Sequence, residues 1–328
     1  MQALLPDTEP ETSTTTTPTP ETTATSTTGG TVLLGDVPEP VPAADEALIA
    51  VEAYSVNRGE TFQLDGQLDR RWAGWRPGKD VAGTVLRAAA DGTGPAAGTR
   101  VVAHPPAYGW AERVAVPVHS IAELPDSVDA VTAAALPLAG ITALRLLRAA
   151  GPVAGRRLLV TGASGGVGHY VTELAASSGA AVTAVSSTPE RGARLLDLGA
   201  AAVVTSPADA GGPYDIVLES VGGDVLPTAL ARLAPGGLLV WFGQASRTPS
   251  TLDFFDFFKG PAQARIAHFD YTRADTTYAA DLATLVRLVA GGRLHPEIGS
   301  VRDWSRTGEV IADIRGRRVR GNAVLTVG

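Results

Sequence analysis

Hydrophobic and polar positions follow two different rhythms along this chain. Up to about Ser127 the apolar runs are short and turn-bounded: ALIAVEA from Ala47 to Ala53, then Val81 to Val85, Arg100 to Ala103 and Trp110 to Val116. A polar turn at Ser55-Val56-Asn57-Arg58 follows the first of them. Short strands with dense turn residues predict a compact β-rich domain. From Asp129 helix and strand alternate. Val131 to Arg148 reads as helix with a Pro-Gly interruption, Arg157 to Val160 as a buried strand, Val167 to Ser178 as a helix and Ala181 to Ser186 as a strand. Thr188 or Ser187 can cap a helix with Pro189 in its first turn and a stop at Gly199. Strands at Ala201 to Thr205, Tyr214 to Ser220 and Leu238 to Gly243 follow, with a helix at Asp224 to Leu233. Continuous apolar strands separated by helices predict a parallel sheet covered on both faces, the doubly wound form of a nucleotide domain. A strand at Arg265 to Asp270, a helix at Tyr278 to Ala290 and a strand at Asn322 to Val327 complete the pattern, and the chain end is expected to return to the first domain.

Two segments break these rhythms. Thr8 to Gly30 is built almost wholly of Thr, Pro, Ser, Glu and Gly. It has no apolar periodicity to offset the entropy of ordering, so a mobile insertion near the first strand is expected. Asp253-Phe254-Phe255-Asp256-Phe257-Phe258 holds four of the seven phenylalanines. That run reads either as packing, in a core or a subunit interface, or as the wall of an apolar pocket.

Composition narrows the function classes. At 328 residues the chain suits about two domains. Its 27 basic and 34 acidic side chains give a net charge of −7, which argues against nucleic acid or an anionic membrane as a partner. There is no cysteine, hence no disulfide, no thiolate nucleophile and no sulfur-ligated metal. MQALLPDTEP lacks the basic and apolar regions of a secretory signal, and the richest apolar segment, Val131 to Ala150, is interrupted by Pro137, Gly140, Arg145 and Arg148. A cytoplasmic protein is the expectation.

The chemistry begins at TGASGGVGHY, Thr161 to Tyr170, where a strand gives way to a helix. Gly162, Gly165 and Gly168 fall at every third position. Such a turn lets a pyrophosphate approach the backbone and meet free N–H groups at the helix start. An acidic residue at the end of the next strand, roughly 20 residues on, would select NAD through the ribose hydroxyls. None lies between Ala180 and Pro189. Ser186, Ser187 and Arg191 stand there instead, hydroxyls and a guanidinium suited to the 2′-phosphate of NADPH. Twenty-five of the basic residues are arginine, since only Lys79 and Lys259 are lysine, so the missing carboxylate weighs more than Arg191. A P-loop is excluded by His169 and Tyr170 after Gly168. No tyrosine has lysine four positions on, as short-chain dehydrogenases require.

Together these residues resemble the medium-chain dehydrogenase/reductase superfamily, in its zinc-free quinone oxidoreductase and enoyl reductase branch. The likeness runs in family order from Gly35 onward through VEAYSVNRGE, RPGKDVAGTV, GTRVVA, GWAERVAV, LPLAGITAL, TGASGGVG, YDIVLESVGG, LAPGGLLVWFG and RRVRGNAVLTV. The resemblance implies an α/β chain in which a Rossmann doubly wound parallel sheet domain, 129–268, is inserted in a GroES-like β-rich catalytic domain. That domain's first part would be 1–128, with the insertion at 8–30, and its C-terminal part 269–328. An active site in the cleft between the domains and a homodimer are also implied. By position, Asn57 and Thr142 would meet the nicotinamide ribose and ring, and Ser164, Gly165, Gly166 and Val167 the pyrophosphate. Ser186 and Arg191 would meet the adenosine phosphate, and Val221, Gly222, Phe242 and Gly243 would line the nicotinamide and adenine-ribose side. Asn322, a candidate cofactor contact, stands where relatives often have lysine.

In zinc-dependent relatives a cysteine occupies the position of Asn57, and Gly-His-Glu that of Gly78-Lys79-Asp80, so no metal is expected. The five histidines, His104, His119, His169, His268 and His295, show no ligand spacing. Phe62 stands where some quinone reductases have tyrosine. A quinone or α,β-unsaturated carbonyl needs no metal, because hydride arriving at carbon leaves a delocalised anion that asks only for hydrogen bonds and a proton. The expected function is therefore NADPH-dependent reduction of a small quinone or enone, including tailoring of a natural product. Tyr54 and Tyr108 are candidate donors to the developing anion, the other reading of each being a packed tyrosine. The alternative for the whole chain is a nucleotide-binding sensor of the same fold with little turnover.

Overall fold

The structure, a computed structural model, describes residues 1–7, 32–66 and 74–328. The Thr/Pro-rich stretch 8–30, expected to be a mobile insertion, lies outside the described residues. The chain divides into two compact units, one of Met1–Leu138, Thr276–Arg293 and Ile298–Gly328, the other of Ala139–Asp275 and Leu294–Glu297.

The first unit opens with β1 (Gln2–Pro6) and β2 (Val32–Asp36), paired antiparallel with Gln2 opposite Asp36. β3 (Glu46–Ser55) and α1 (Arg58–Leu64) follow, then β4 (Val81–Arg87), β5 (Arg100–Ala103), β6 (Arg113–Pro117) and β7 (Ile121–Glu123). Two helices come next. α2 (Ala130–Ala134) is capped by the Asp129 carboxylate, which accepts the Thr132 N–H, and α3 (Pro137–Ala150), which belongs to the second unit from Ala139 onward, restarts at the proline, whose missing N–H costs nothing in a first turn.

The second unit carries β8 (Arg157–Val160), α4 (Gly166–Ser177), β9 (Ala181–Val185), α5 (Pro189–Asp197), β10 (Ala202–Val204), β11 (Tyr214–Glu219), α6 (Val225–Leu230), β12 (Leu233–Trp241) and β13 (Arg265–His268). The chain returns to the first unit with α7 (Tyr278–Ala290), β14 (Ile298–Asp303), α8 (Thr307–Arg315) and β15 (Asn322–Thr326).

Among the described residues the second unit's sheet runs β10-β9-β8-β11-β12-β13, every pair parallel. The chain enters at β8, winds outward to β10, then crosses back to β11 and winds the other way. The reversal between β8 and β11 opens a crevice at the carboxyl ends of those strands, where sheets of this kind bind ligands. Leu159, Val217 and Leu239, one from each of three central strands, are fully enclosed with Tyr214 and Leu230. This is why the strands read as continuous apolar runs. In the first unit β14-β15-β3-β4-β5-β7 form one sheet with β6 added beside β3, around a core that includes Ile49, Tyr54, Val81, Val101 and Trp110.

Several elements differ from the sequence expectation. The polar turn at Ser55 to Arg58 continues into α1, because Asn57 caps it and the Glu60 carboxylate turns back onto the Asn57 N–H at 2.9 Å. The strand expected from Trp110 begins at Arg113, since Trp110 pairs its backbone N–H with the Pro77 carbonyl instead. β12 starts at Leu233 and the preceding helix ends at Leu230, so the strand is longer and the helix shorter than the pattern implied. Phe254, Phe255 and Phe258 are about two-thirds exposed or more, at 68%, 67% and 73%, which removes a core role for them. Phe257 alone of the four packs against the sheet core.

Candidate functional site: a glycine turn and a buried polar hub

The glycine motif forms the turn from β8 to α4. Gly162 has φ +61°, and a Cβ there would lie 2.5 Å from the Ser220 hydroxyl. At Gly168 a Cβ would come within 2.5 Å of the Ala163 backbone, so only glycine lets α4 seat this closely against the turn. The Ala163 N–H is tied to the Val185 carbonyl at 3.0 Å, which locks the turn to β9. No side chain caps α4 at Gly165. The first-turn amides of Gly166, Val167 and Gly168 thus have neither an intrahelical nor a capping partner, the arrangement that receives a phosphate.

The other residues expected around a dinucleotide gather at the carboxyl ends of neighbouring strands. Ser186 and Ser187 follow β9, Val221 and Gly222 follow β11, and Phe242 and Gly243 follow β12. Ser186 is enclosed and donates its hydroxyl to the Thr188 carbonyl at 3.0 Å, so it shapes the turn; this corrects the expectation that it supplies a hydroxyl to the ligand. Ser187 is exposed and Arg191, half-buried, lies in the first turn of α5, which Thr188 caps. Glu190 is fully exposed, and its carboxyl is held below the usual range by its own amide and the Thr188 hydroxyl. Thr142, on α3, is buried and its Oγ1 has no hydrogen-bond partner among the described residues, which leaves it to an incoming group. A glycine turn that tolerates no Cβ, an orphaned buried hydroxyl and the absence of any acidic residue between Ala180 and Pro189 together fit a dinucleotide.

A carboxylate that sequence reasoning missed holds this region together. Glu219, the last residue of β11, is fully buried and accepts from the Thr161 hydroxyl at 3.1 Å, the Val221 N–H at 2.7 Å and the Gly222 N–H at 3.0 Å. Burial pushes its pKa up, and these three donors oppose the shift. The same side chain thereby fixes the start of the glycine turn and the Val221-Gly222 turn.

In the first unit the polar residues converge on Asp80, which is fully buried. Its Oδ2 accepts from the Ser55 hydroxyl at 2.6 Å and from Asn57 Nδ2 at 2.7 Å. Its Oδ1 accepts from the Leu138 N–H at 2.9 Å and lies 3.3 Å from His104 Nδ1, whose ring meets Tyr278 edge-on at 4.8 Å. Beside it Glu60 accepts from Asn57 N–H, Gly78 N–H and Lys79 N–H at 2.9, 2.9 and 3.0 Å. Burial, reinforced by the charge of Asp80, pushes Glu60 up to about 7. Asn57 is thus held at its side chain by one buried carboxylate and at its backbone by another. The ladder between β15 and β3 sets Val324 opposite Ser55, and Val56 N–H bonds the Ala323 carbonyl, so Asn322 stands at the same end of the sheet as Asn57.

The two tyrosines part company. Tyr54 is fully enclosed, stacks on Trp110 at 5.7 Å and meets the Thr307 hydroxyl at 2.7 Å. Thr307 gives its own proton to the Trp304 carbonyl, so the phenol proton of Tyr54 is committed to Thr307. Burial pushes that phenol well above the usual range. The expectation that Tyr54 assists a developing anion is corrected on these grounds: it is a packed residue. Tyr108 is only half-buried, and its φ of +72° places a bulky residue in the left-handed region, which needs a reason. Among the described residues no three His, Cys, Asp or Glu side chains gather as a metal ion would need, and no helix is long and apolar enough to cross a membrane.

A doubly wound unit with a dinucleotide turn, joined to a β-rich unit built around an Asn-Asp-Glu hub, defines the class as a medium-chain dehydrogenase/reductase. Comparison with known proteins agrees. The family described as zinc-binding dehydrogenase matches residues 166–287, and the alcohol dehydrogenase GroES-like domain matches 43–126. Quinone oxidoreductase of Mus musculus is 31% identical over 226 residues, 64% of this chain and 68% of that protein. Quinone oxidoreductase of Pongo abelii is 29% identical over 309 residues, 89% and 92% of the two chains. Mycobacterial Rv1454c, solved in complex with NADPH, superimposes with a TM-score of 0.82 at 28% identity, over 90% of this chain and 95% of that one. The chain belongs to the medium-chain dehydrogenase/reductase superfamily, in its quinone oxidoreductase branch.

Proposed function

We propose that this protein is an NADPH-dependent, metal-independent reductase of quinones or α,β-unsaturated carbonyls. The observation that carries the reading is the end of β9, where no acidic residue lies between Ala180 and Pro189 and the strand is followed instead by Ser187 and, in the first turn of α5, Arg191. The NADPH complex of the mycobacterial relative supports the same choice.

When bound, NADPH supplies the hydride. The amides of Gly166 to Gly168 would hold the pyrophosphate and Arg191 the 2′-phosphate, and by their positions in the family Thr142 Oγ1 and Asn57 would each take part at the nicotinamide end. Asn57 occupies the position of one ligand and Lys79 that of another in zinc-dependent members, so the acceptor has to be activated by its own conjugation. Hydride at the acceptor carbon leaves an enolate or hydroquinone anion, and Tyr108 or solvent returns the proton. An enoyl intermediate of a natural-product route is a substrate of this class. The open edge strand β13 and the exposed Phe254, Phe255 and Phe258 support association into a homodimer, and the cysteine-free composition suits the cytoplasm.

A panel of simple quinones and enones, followed by loss of NADPH absorbance, tests the reading. Oxidation of NADPH by at least one class is expected. Tight NADPH binding with no oxidation across the panel would favour a nucleotide-binding sensor.

A further inference from the structure

Among the described residues Arg76 has no ion-pair partner. It lies in Trp75-Arg76-Pro77-Gly78, which runs beside Tyr108-Gly109-Trp110. Tyr108 N–H bonds the Arg76 carbonyl at 3.1 Å, Gly109 N–H the Gly78 carbonyl at 3.0 Å and Trp110 N–H the Pro77 carbonyl at 3.3 Å. The guanidinium carbon stands 5.2 Å from the centre of the Tyr108 ring. Arg76 is half-buried, its Nε is enclosed with no hydrogen-bond partner among the described residues, and the Tyr108 side chain acts on its charge. Burial pulls its pKa below the usual guanidinium value.

This arrangement is costly in a resting protein. A guanidinium taken partly out of water ordinarily recovers the loss through a carboxylate or several carbonyls, and the face of an aromatic ring replaces only part of that. The loop is also built to hold its shape. Tyr108 is kept at a positive φ, and Gly78, at φ +118°, packs so close that a Cβ would lie 2.2 Å from the Trp110 nitrogen and 2.3 Å from that of Gly109. The Gly78 N–H ends on Glu60, whose other oxygen takes the Asn57 N–H. A rigid path of one carboxylate and two residues therefore links the Arg76 guanidinium to Asn57.

Resting on the reductase reading for the identity of the acceptor, we propose that Arg76 and the ring of Tyr108 form an anion-recognising subsite, so that the preferred quinone or enone carries a carboxylate. The planar fork of the guanidinium takes both carboxylate oxygens, and the tyrosine ring fixes the plane in which they arrive. Arg76 is then a specificity-determining residue: it places the acceptor through a group remote from the reacting carbon and takes no part in the transfer of hydride or proton.

The test compares a conjugated enone acid with its methyl ester in the wild type, Arg76→Met and Arg76→Lys, at saturating NADPH. The wild type is expected to favour the acid by about tenfold or more in kcat/KM, expressed mainly in KM. Arg76→Met should erase that preference while changing the ester by no more than about twofold, and Arg76→Lys should keep part of it. NADPH dissociation constants should match in all three; a weakening of NADPH by Arg76→Met that equals the loss on the acid would assign the guanidinium to a cofactor phosphate and overturn the proposal. So would equal losses on acid and ester. Calorimetric titration of the cofactor-free chain with benzoate separates this proposal from the reductase reading. Arg76-dependent benzoate binding in a protein that reduces no acceptor sustains the subsite and sinks the reductase, whereas reduction of acid and ester at equal efficiency does the reverse.

Discussion

Asn57 donates its side-chain amide to Asp80 over 2.7 Å, and that same Asp80 oxygen takes the Ser55 hydroxyl at 2.6 Å. A residue proposed to face the cofactor is therefore held by a carboxylate that solvent does not reach. Asp80→Asn puts an N–H₂ or a less basic oxygen where two donors now converge. The variant should lose roughly 2 kcal/mol of unfolding free energy in urea, the scale of buried hydrogen bonds to a charged acceptor. An unfolding curve superimposable on that of the wild type would contradict the role of Asp80 as a hub.

Glu60 gives the fold a pH dependence of definite sign. Its carboxyl is raised from 4.5 to about 7, so between those values the native state holds a proton that the unfolded chain has released. Stability from this group is fully present below 4.5 and falls as pH rises through 7. The difference in unfolding free energy between wild type and Glu60→Gln should therefore shift in favour of the wild type as pH is lowered through that window. A difference that stays flat with pH would mean Glu60 is ionised throughout.

Two glycine replacements should act oppositely. Gly168→Ala places a methyl 2.5 Å from the Ala163 backbone and should abolish NADPH binding or the folded protein itself. Gly59→Ala, in α1, meets nothing within 4 Å and should stabilise by about 0.5–1 kcal/mol through the lower entropy of the unfolded chain. Melting curves of the pair check both, and equal effects would contradict the packing described.

Tyr54→Phe removes a phenol that bonds Thr307 in the core. It should cost about 1 kcal/mol of stability and leave the rate of NADPH oxidation within about twofold of the wild type. A rate loss of about tenfold or more would return Tyr54 to the chemistry.

Legibility in the sequence followed the range of the interactions. Arg157–Val160 and Tyr278–Ala290 were readable to the residue, because a four-residue apolar run and a threonine-capped amphipathic helix carry their signals locally. β1 and β2 were not, since each is short and its partner lies across the Thr/Pro-rich stretch, with Gln2 opposite Asp36. α1 was hidden although Asn57 is followed three positions later by Glu60, a capping box that could have been read. The glycine turn was legible because backbone conformation is written in residue type. Asp80 and Glu219 were not, because their donors come from segments as separate as Ser55, His104 and Leu138, or Thr161 and Gly222.

The central claim, that NADPH is bound by its 2′-phosphate and spends its hydride on a conjugated acceptor, is tested most directly by titrating wild type and Arg191→Ala with NADPH and with NADH. The account predicts that the wild type binds NADPH the more tightly and that Arg191→Ala weakens NADPH about tenfold or more while scarcely moving NADH. Equal affinity of the wild type for the two nucleotides, or equal losses in the variant, would contradict it.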